Sequence, residues 1–148
     1  SSLIRSAASE DRATRLETIN HWVNAHIAFA ADRSRRGTAD QWASARETLR
    51  RGAGDCEDYA IAKMKLLEAA GIARSDLYLV IARDLVRRAD HAILAVRLGG
   101  QLMILDSSTD QILDSRQVTD YRPIFSFGAQ GAWVHGYTEQ PVRLASAL

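Results

Sequence analysis

The amino-acid sequence predicts an α+β fold in which helices precede an antiparallel β-sheet. Up to Ala70, apolar residues recur at steps of three and four, which is the period of an amphipathic helix. From Leu77 onwards, short runs rich in β-branched and aromatic residues indicate strands, and Gly99-Gly100 between two such runs is a strong hairpin signal. At 148 residues, the chain is most simply one domain spanning residues 1–148.

Composition limits the classes of function. Hydrophobic residues make up 47% and charged residues 25% of the chain, as in an ordinary soluble globular protein. The 19 Lys and Arg residues nearly balance the 18 Asp and Glu residues, so we expect no nucleic-acid partner. No apolar run approaches the ~18 residues of a transmembrane segment. Because the sequence begins with Ser rather than Met, the absence of a signal-peptide pattern does not exclude export.

Three helices are predicted. The first has Ser9 as a possible cap, and its apolar stripe is formed by Leu16, Ile19, Val23, Ile27 and Ala30. Thr38 or Asp40 can cap a short second helix over residues 41–51. The third covers residues 56–70 and ends at Gly71, the residue type that most easily adopts the left-handed conformation past a helix end.

The only cysteine of the chain lies at the start of this third helix. Asp55 is the expected N-cap, and Asp58 occupies the position of a capping-box carboxylate. Cys56 then falls in the first turn, where unpaired N–H groups and the helix dipole favour an anion such as a thiolate. A lone cysteine is also often a small buried apolar residue, so position alone leaves both interpretations open.

The predicted strands are residues 77–82, 91–98, 101–106 and 121–127. Residues 83–90 form a charged connection between the first two. Pro123 indicates that the last strand starts there or lies at a sheet edge, because proline cannot donate a ladder hydrogen bond.

The hairpin register brings a histidine and an aspartate together. If Gly99-Gly100 forms a two-residue turn, Leu98 pairs with Gln101 and Ile93 lies opposite Asp106. His91 and Asp106 are then diagonal neighbours on one face, with Cα atoms ~7–8 Å apart, within reach of a hydrogen bond. The same face carries further apolar residues and is therefore expected to pack on a helix: Ile93, Ala95, Leu102 and Ile104.

A cysteine, a histidine and an aspartate in this arrangement indicate nucleophilic acyl transfer. Cys56 would be the nucleophile, His91 the base and Asp106 the group that fixes the imidazole tautomer. The Cys56 N–H is a candidate oxyanion-hole donor, with Trp22 and Trp42 as candidates for a second. As alternatives, Asp106 caps the turn that follows it while His91 faces water, or the three residues bind zinc.

These residues resemble the bacterial transglutaminase-like cysteine proteinases. The resemblance covers roughly residues 19–114 and rests on the Gly-Asp-Cys-Glu-Asp-Tyr motif at 54–59, a His that opens a strand and an Asp that closes the next, with upstream support from Asn24, Ile27, Asp32 and residues 40–42. It implies a papain- and transglutaminase-like fold with Cys56, His91 and Asp106 as the catalytic triad. It also implies calcium bound by Asp55 and Glu57, cleavage of a large surface adhesin, restraint by an inner-membrane receptor for cyclic di-GMP, and a periplasmic location in biofilm control.

Charge around the thiol gives a separate argument for calcium. Asp55, Glu57 and Asp58 all lie within two positions of Cys56, and three carboxylates oppose the charge of a thiolate. A hard divalent cation held by oxygen ligands could offset them, with Asp55 and Glu57 as leading ligands and Asp58 as a weaker one. Two further alternatives stay open: acyl transfer to an amine, as in a transglutaminase or deamidase, and a non-catalytic calcium-dependent binding module of the same fold.

Overall fold

A computed structural model describes residues 2–29 and 53–136. The predicted helix at 41–51, together with Thr38, Asp40, Trp42 and Ala30, lies outside these residues. The described helices and strands, in chain order, are α1 (Ser2–Ala8), α2 (Arg12–His26), β1 (Ala28–Phe29), β2 (Ala53–Gly54), α3 (Cys56–Ala69), β3 (Leu77–Asp84), β4 (Ala89–Leu98), β5 (Gln101–Asp106), β6 (Thr109–Asp114), β7 (Tyr121–Gly128) and β8 (Gly131–Val134).

The fold is α+β with an antiparallel sheet, as predicted. The six strands have the order β6-β5-β4-β3-β7-β8, and every neighbouring pair is antiparallel. A separate parallel pair, β1 and β2, joins the end of α2 to the start of α3. None of the helices in the described part of the chain is long and apolar enough to cross a membrane.

The first helices differ from the prediction. Ser9 does not cap α2, because the Asp11 carboxylate accepts the hydrogen bond from the Thr14 N–H at 2.8 Å. Ser9 instead follows α1, a helix that was not predicted, and donates its hydroxyl to Ser6 O. Only Ala7 of α1 is buried, so an apolar stripe is too short there to be recognised.

The capping of α3 is confirmed. The Asp55 carboxylate accepts from the Asp58 N–H at 3.1 Å, and the Asp58 carboxylate accepts from the Asp55 N–H at 3.2 Å. These bonds satisfy two donors that the first helical turn would otherwise leave unpaired. Gly71 follows the helix with a φ of +100°, so its lack of a side chain permits the reversal.

The strands β3 and β4 are longer than predicted. β3 continues to Asp84 and β4 begins at Ala89, so the expected connection 83–90 shrinks to a four-residue turn. Its charged ends pair across the ladder, with Arg83 opposite Asp90 and their side chains 3.3 Å apart. The high charge of this stretch indicated a loop, because the pairing of Arg83 with Asp90 becomes visible only when the two strands are side by side.

Pro123 lies two residues after the start of β7. β7 lies between β3 and β8, and Pro123 pairs with Ala82 where the register of the two strands shifts. An irregularity of this kind accommodates a residue that cannot donate an N–H. β8 pairs only with residues 125–128 of β7, so at Pro123 the strand has a partner on one side alone among the described residues, as at a sheet edge and as expected.

The prediction of which apolar face of the sheet packs on the helices is also wrong. Ile93, Ala95 and Ile104 do share a face, with Leu102 packed against them, but they form a small second core with Val80 and Val118. The face that meets the helices is the other one, which carries Ala92, Leu94, Val96 and Leu105. Both alternating sets in β4 are apolar, so the period of two could not tell which of them the helices cover.

Candidate active site

Cys56 stands where the first turn of α3 meets the backbone of β4. Its sulfur accepts a hydrogen bond from the Ala92 N–H at 3.4 Å, and the side chain is half-buried. Asp55 immediately before it forms the cap that fixes the start of the helix. Cys56 therefore lies at the edge of the sheet next to His91, the residue before Ala92. The apolar residues on the same face of β4 as His91 nevertheless point away from the helices.

His91 and Asp106 form a buried pair. The register follows the Gly99-Gly100 turn as predicted, with Leu98 paired with Gln101. His91 Nε2 lies 2.7 Å from Asp106 Oδ1, and the side chains are only 11% and 7% exposed. Because Nε2 is committed to Asp106, Nδ1 is the nitrogen that remains for proton exchange with another group.

Asp106 is held by more than His91. The Tyr121 hydroxyl donates to Oδ2 at 2.5 Å, and the Ser108 N–H donates to Oδ1 at 3.1 Å. Asp106 therefore caps its turn and binds His91 at the same time, so these two interpretations are compatible. Sequence analysis missed Tyr121, because only the packing of β7 against β3 brings it to the end of β5.

The pKa values of His91 and Asp106 are both strongly shifted. Burial alone would lower the pKa of His91, but interactions with the Asp106 carboxylate and the Cys56 sulfur raise it to about 9. Burial opposes ionisation of Asp106, yet the hydrogen bonds from His91 and Tyr121 hold its pKa far below the usual range. At neutral pH the site thus holds an imidazolium and a carboxylate.

A cleft of about 370 Å³ opens over the sulfur and the imidazole. One wall is the turn between β3 and β4, and the other is the turn after β5. The lining residues are Cys56, Asp84, Arg87, Ala89, Asp90, His91, Ser107 and Ser108. Since both Cys56 and His91 border it, a group bound in this cleft would be within reach of both.

The three predicted metal ligands differ in how deeply they are buried. Asp58 is 1% exposed and its carboxylate is part of the capping box. Asp55 and Glu57 are half-buried on either side of Cys56. Within residues 2–29 and 53–136, no three His, Cys, Asp or Glu side chains come together as a metal site. Asp55 and Glu57 are thus the two half-buried carboxylates beside the sulfur, fewer than the 6–8 oxygen ligands that calcium takes.

A model of the bacterial transglutaminase-like cysteine proteinases matches residues 2–136. The chain belongs to this family. A search of curated proteins found no match. Family membership agrees with the cleft geometry, and the protein is a transglutaminase-like cysteine protease.

Comparison with solved structures supports the same family. The chain is 31% identical to LapG of Legionella pneumophila, with a TM-score of 0.77 over 90% of this chain and 74% of that one. LapG in calcium-bound form is 29% identical, with a TM-score of 0.78 over 95% of this chain and 80% of that one. A transglutaminase structure matches at 12% identity, with a TM-score of 0.52 over 72% of this chain and 30% of that one, a likeness of fold alone.

Proposed function

We propose that the protein is an endopeptidase in which Cys56 is the nucleophile, His91 the proton carrier and Asp106 the residue that orients His91. The observation that supports this most strongly is the 2.7 Å contact of His91 with Asp106 beside the half-buried Cys56 sulfur. An inert buried cysteine would not need a buried, ionised His–Asp pair next to it. Zinc binding by the three residues would consume the nucleophile.

Acylation starts from a thiolate paired with the His91 imidazolium. The sulfur attacks the carbonyl carbon of the scissile bond, and the carbonyl π electrons move to oxygen. As that oxygen re-forms its double bond, the C–N bond breaks and His91 Nδ1 gives its proton to the leaving amine. A thioester on Cys56 and a neutral imidazole remain, with Asp106 still holding Nε2–H.

Deacylation reverses the roles. Neutral His91 takes a proton from water, whose oxygen attacks the thioester carbon, and the C–S bond breaks. The products are a carboxylic acid, the Cys56 thiolate and the imidazolium. If a primary amine enters instead of water, the product is a new amide, which is the transglutaminase outcome.

The test uses the N-terminal segment of a large surface adhesin as substrate, with and without a primary amine, followed by mass spectrometry. We expect two fragments with free carboxylate and amine ends from the wild-type protein and none from Cys56→Ala. Incorporation of the amine without chain cleavage would mean that the protein is an acyl transferase rather than an endopeptidase. Cleavage that persists in Cys56→Ala would overturn the assignment of the nucleophile.

We also propose that calcium binds beside the site, with carboxylate oxygens of Asp55 and Glu57 as ligands. LapG has been solved in calcium-bound and EGTA-treated forms. Asp58 is the weaker candidate ligand, because its carboxylate is buried and bound within the helix cap. Bound calcium would supply positive charge that offsets the carboxylates around the sulfur.

Thermal unfolding tests the calcium proposal. A hundred-fold excess of calcium over its Kd should raise the Tm by about 5–10 °C, since an ion that binds only the folded state stabilises it. Glu57→Gln should reduce this shift, whereas Glu17→Gln, an exposed change on α2, should not. An equal shift in all three proteins would contradict the assignment of Glu57.

The substrate and the regulator are proposed from the family resemblance. A large surface adhesin would be cleaved in the periplasm, and an inner-membrane receptor that senses cyclic di-GMP would restrain the protease. Binding to the periplasmic domain of such a receptor, measured by titration calorimetry, should reduce adhesin cleavage in proportion to occupancy. Saturation with the receptor domain without inhibition would contradict the proposed restraint.

A further inference from the structure

The turn that follows Asp106 is bound by a side chain of α2. This turn, residues 106–109, connects β5 to β6, and Asp106 pairs with Thr109 across the ladder. Asn24 lies in the last turn of α2. Its Nδ2 donates to Asp106 O and to Thr109 O, both at 3.0 Å. A single carboxamide therefore bridges the two ends of the 106–109 turn.

Two asparagines of α2 differ in what they bind. Asn20, one helical turn before Asn24, is buried and donates to Thr109 O at 3.3 Å and to Asp110 O at 3.2 Å. Asn24 shares Thr109 O with it and also donates to Asp110 Oδ1 at 3.0 Å. Of the two, only Asn24 donates to Asp106. The pair therefore offers a comparison between support of the turn in general and support of Asp106.

The orientation of the Asn24 carboxamide is set by these contacts. Its nitrogen faces three acceptor oxygens, so an amide turned the other way would place Oδ1 against them with no hydrogen to donate. Oδ1 itself is buried and has no partner among the described residues. The hydrogen bonds of this carboxamide within the described part of the chain thus all go to Asp106, Thr109 and Asp110.

The carboxylate of Asp106 extends from the backbone that Asn24 binds. Its Oδ1 lies 2.7 Å from His91 Nε2, at the range of a strong hydrogen bond. A donor on Asp106 O fixes the peptide plane beside the Cα atom that carries this side chain. A carbonyl that loses its donor turns towards water or another donor, because a buried polar group needs a partner. Loss of the Asn24 amide should therefore move the carboxylate away from the imidazole.

We propose that Asn24 is a positioning residue of the proposed active site: its carboxamide fixes the backbone of the 106–109 turn and thereby holds the Asp106 carboxylate against His91. The inference rests on the proposed function, because it assigns Asn24 to the same Cys–His–Asp unit. None of the described residues that line the cleft belongs to α2. Asn24 therefore acts through Asp106 and has no contact with a substrate in the cleft.

The test is the NMR titration of the His91 imidazole in the full chain, with the resonance assigned by its loss in His91→Gln. In the wild-type protein the midpoint should lie near 9. Asn24→Leu replaces the amide by an apolar side chain of similar size and changes no charge, so a shifted midpoint reports a displaced carboxylate. We expect the midpoint to fall by about 1–3 pH units, because Asp106 is the opposite charge that favours the imidazolium. An unchanged or raised midpoint in folded Asn24→Leu would overturn the proposal.

The other groups that face His91 are the same in this variant. They are the Cys56 sulfur from α3, the Tyr121 ring from β7, whose centroid lies 5.2 Å from that of His91, and the Asp84 carboxylate from β3. A fall of the midpoint in Asn24→Leu is therefore assigned to Asp106.

Asn20→Leu is the matched control. It removes a donor to the same turn from the same helix but no hydrogen bond to Asp106. Both variants should unfold at a lower temperature than the wild-type protein, whereas only Asn24→Leu should shift the His91 midpoint. An equal fall of the midpoint in both would overturn the specific role of Asn24. If Asn24→Leu does not fold, Asn24→Ser, whose hydroxyl is too short to bridge both carbonyls, should lower the midpoint, and a wild-type midpoint there would overturn the proposal.

Cleavage kinetics give a second readout. Asn24→Leu should lower kcat for the adhesin segment by about 10–100-fold and leave KM nearly unchanged, because it misplaces a catalytic group without touching the cleft. A raised KM with an unchanged kcat would contradict the proposal. The NMR titration needs no substrate. If the wild-type protein cleaves no adhesin but the midpoint still falls in Asn24→Leu, the proposed function fails while the positioning role stands. Cleavage by the wild-type protein with an unchanged midpoint in Asn24→Leu retains the function and removes Asn24 from it.

Discussion

The two faces of β4 differ in what covers them. Leu94 and its neighbours on one face belong to the large core shared with α2 and α3. Ile93 on the other face belongs to a small core built from strands and Val118. His91 stands at the open end of this second face and Cys56 at the margin between the two. We infer that the large core fixes where α3 stands, whereas the small core helps to orient the His–Asp pair at its end.

The largest expected effect is on catalysis. His91→Gln removes the group that carries the proton in both half-reactions, so the cleavage rate should fall by about 10²–10⁴-fold. Circular dichroism should show an unchanged fold, because the change lies at the end of the strand. Cleavage of the adhesin segment by the variant at the wild-type rate would mean that His91, at the end of the face that carries the small core, is not needed for the reaction.

Truncating one side chain in each core tests whether the two faces of β4 have different roles. Leu94→Ala and Ile93→Ala both create a cavity at a fully buried position. We expect a loss of about 2–5 kcal/mol in the free energy of unfolding for each, measured by urea titration. Leu94→Ala should leave the His91 titration midpoint unchanged, whereas Ile93→Ala should lower it. Identical effects on the midpoint would mean that both faces orient the pair equally.

The pH dependence of stability follows from His91. Its pKa of about 9 in the folded protein exceeds its ordinary value of 6.5, so its contribution is complete below pH 6.5 and is lost as the pH rises through 9. The difference in free energy of unfolding between the wild-type protein and His91→Gln should therefore shrink by about 3 kcal/mol over this range. His21→Gln, at an exposed ion pair, serves as the control. A difference that stays constant with pH would contradict the raised pKa.

The smallest effect is expected at Tyr121. Tyr121→Phe keeps the ring and removes the hydroxyl that donates to Asp106. The loss in stability should be about 1–3 kcal/mol, because a charge-assisted hydrogen bond is removed while Asp106 keeps its other donors. The His91 midpoint should change little. A collapse of the midpoint to 6.5 would mean that Tyr121, rather than the turn, holds Asp106 in place.

Local signals in the sequence were sufficient for much of the site. The capping box of Asp55 and Asp58 and the pairing of Leu98 with Gln101 depend on residues close in sequence, and both were predicted correctly. The face of β4 that meets the helices was not, because both alternating sets are apolar. Tyr121 was missed for another reason: it reaches Asp106 only through the packing of distant elements.

The central claim is that Cys56 and the His91–Asp106 pair act as one unit. Alkylation of Cys56 by iodoacetamide at pH 6 tests it most directly, in the wild-type protein and in His91→Gln. The imidazolium should sustain a reactive thiolate, so the wild-type rate should exceed that of the variant by at least about 10-fold. Equal rates in the two proteins would contradict the account.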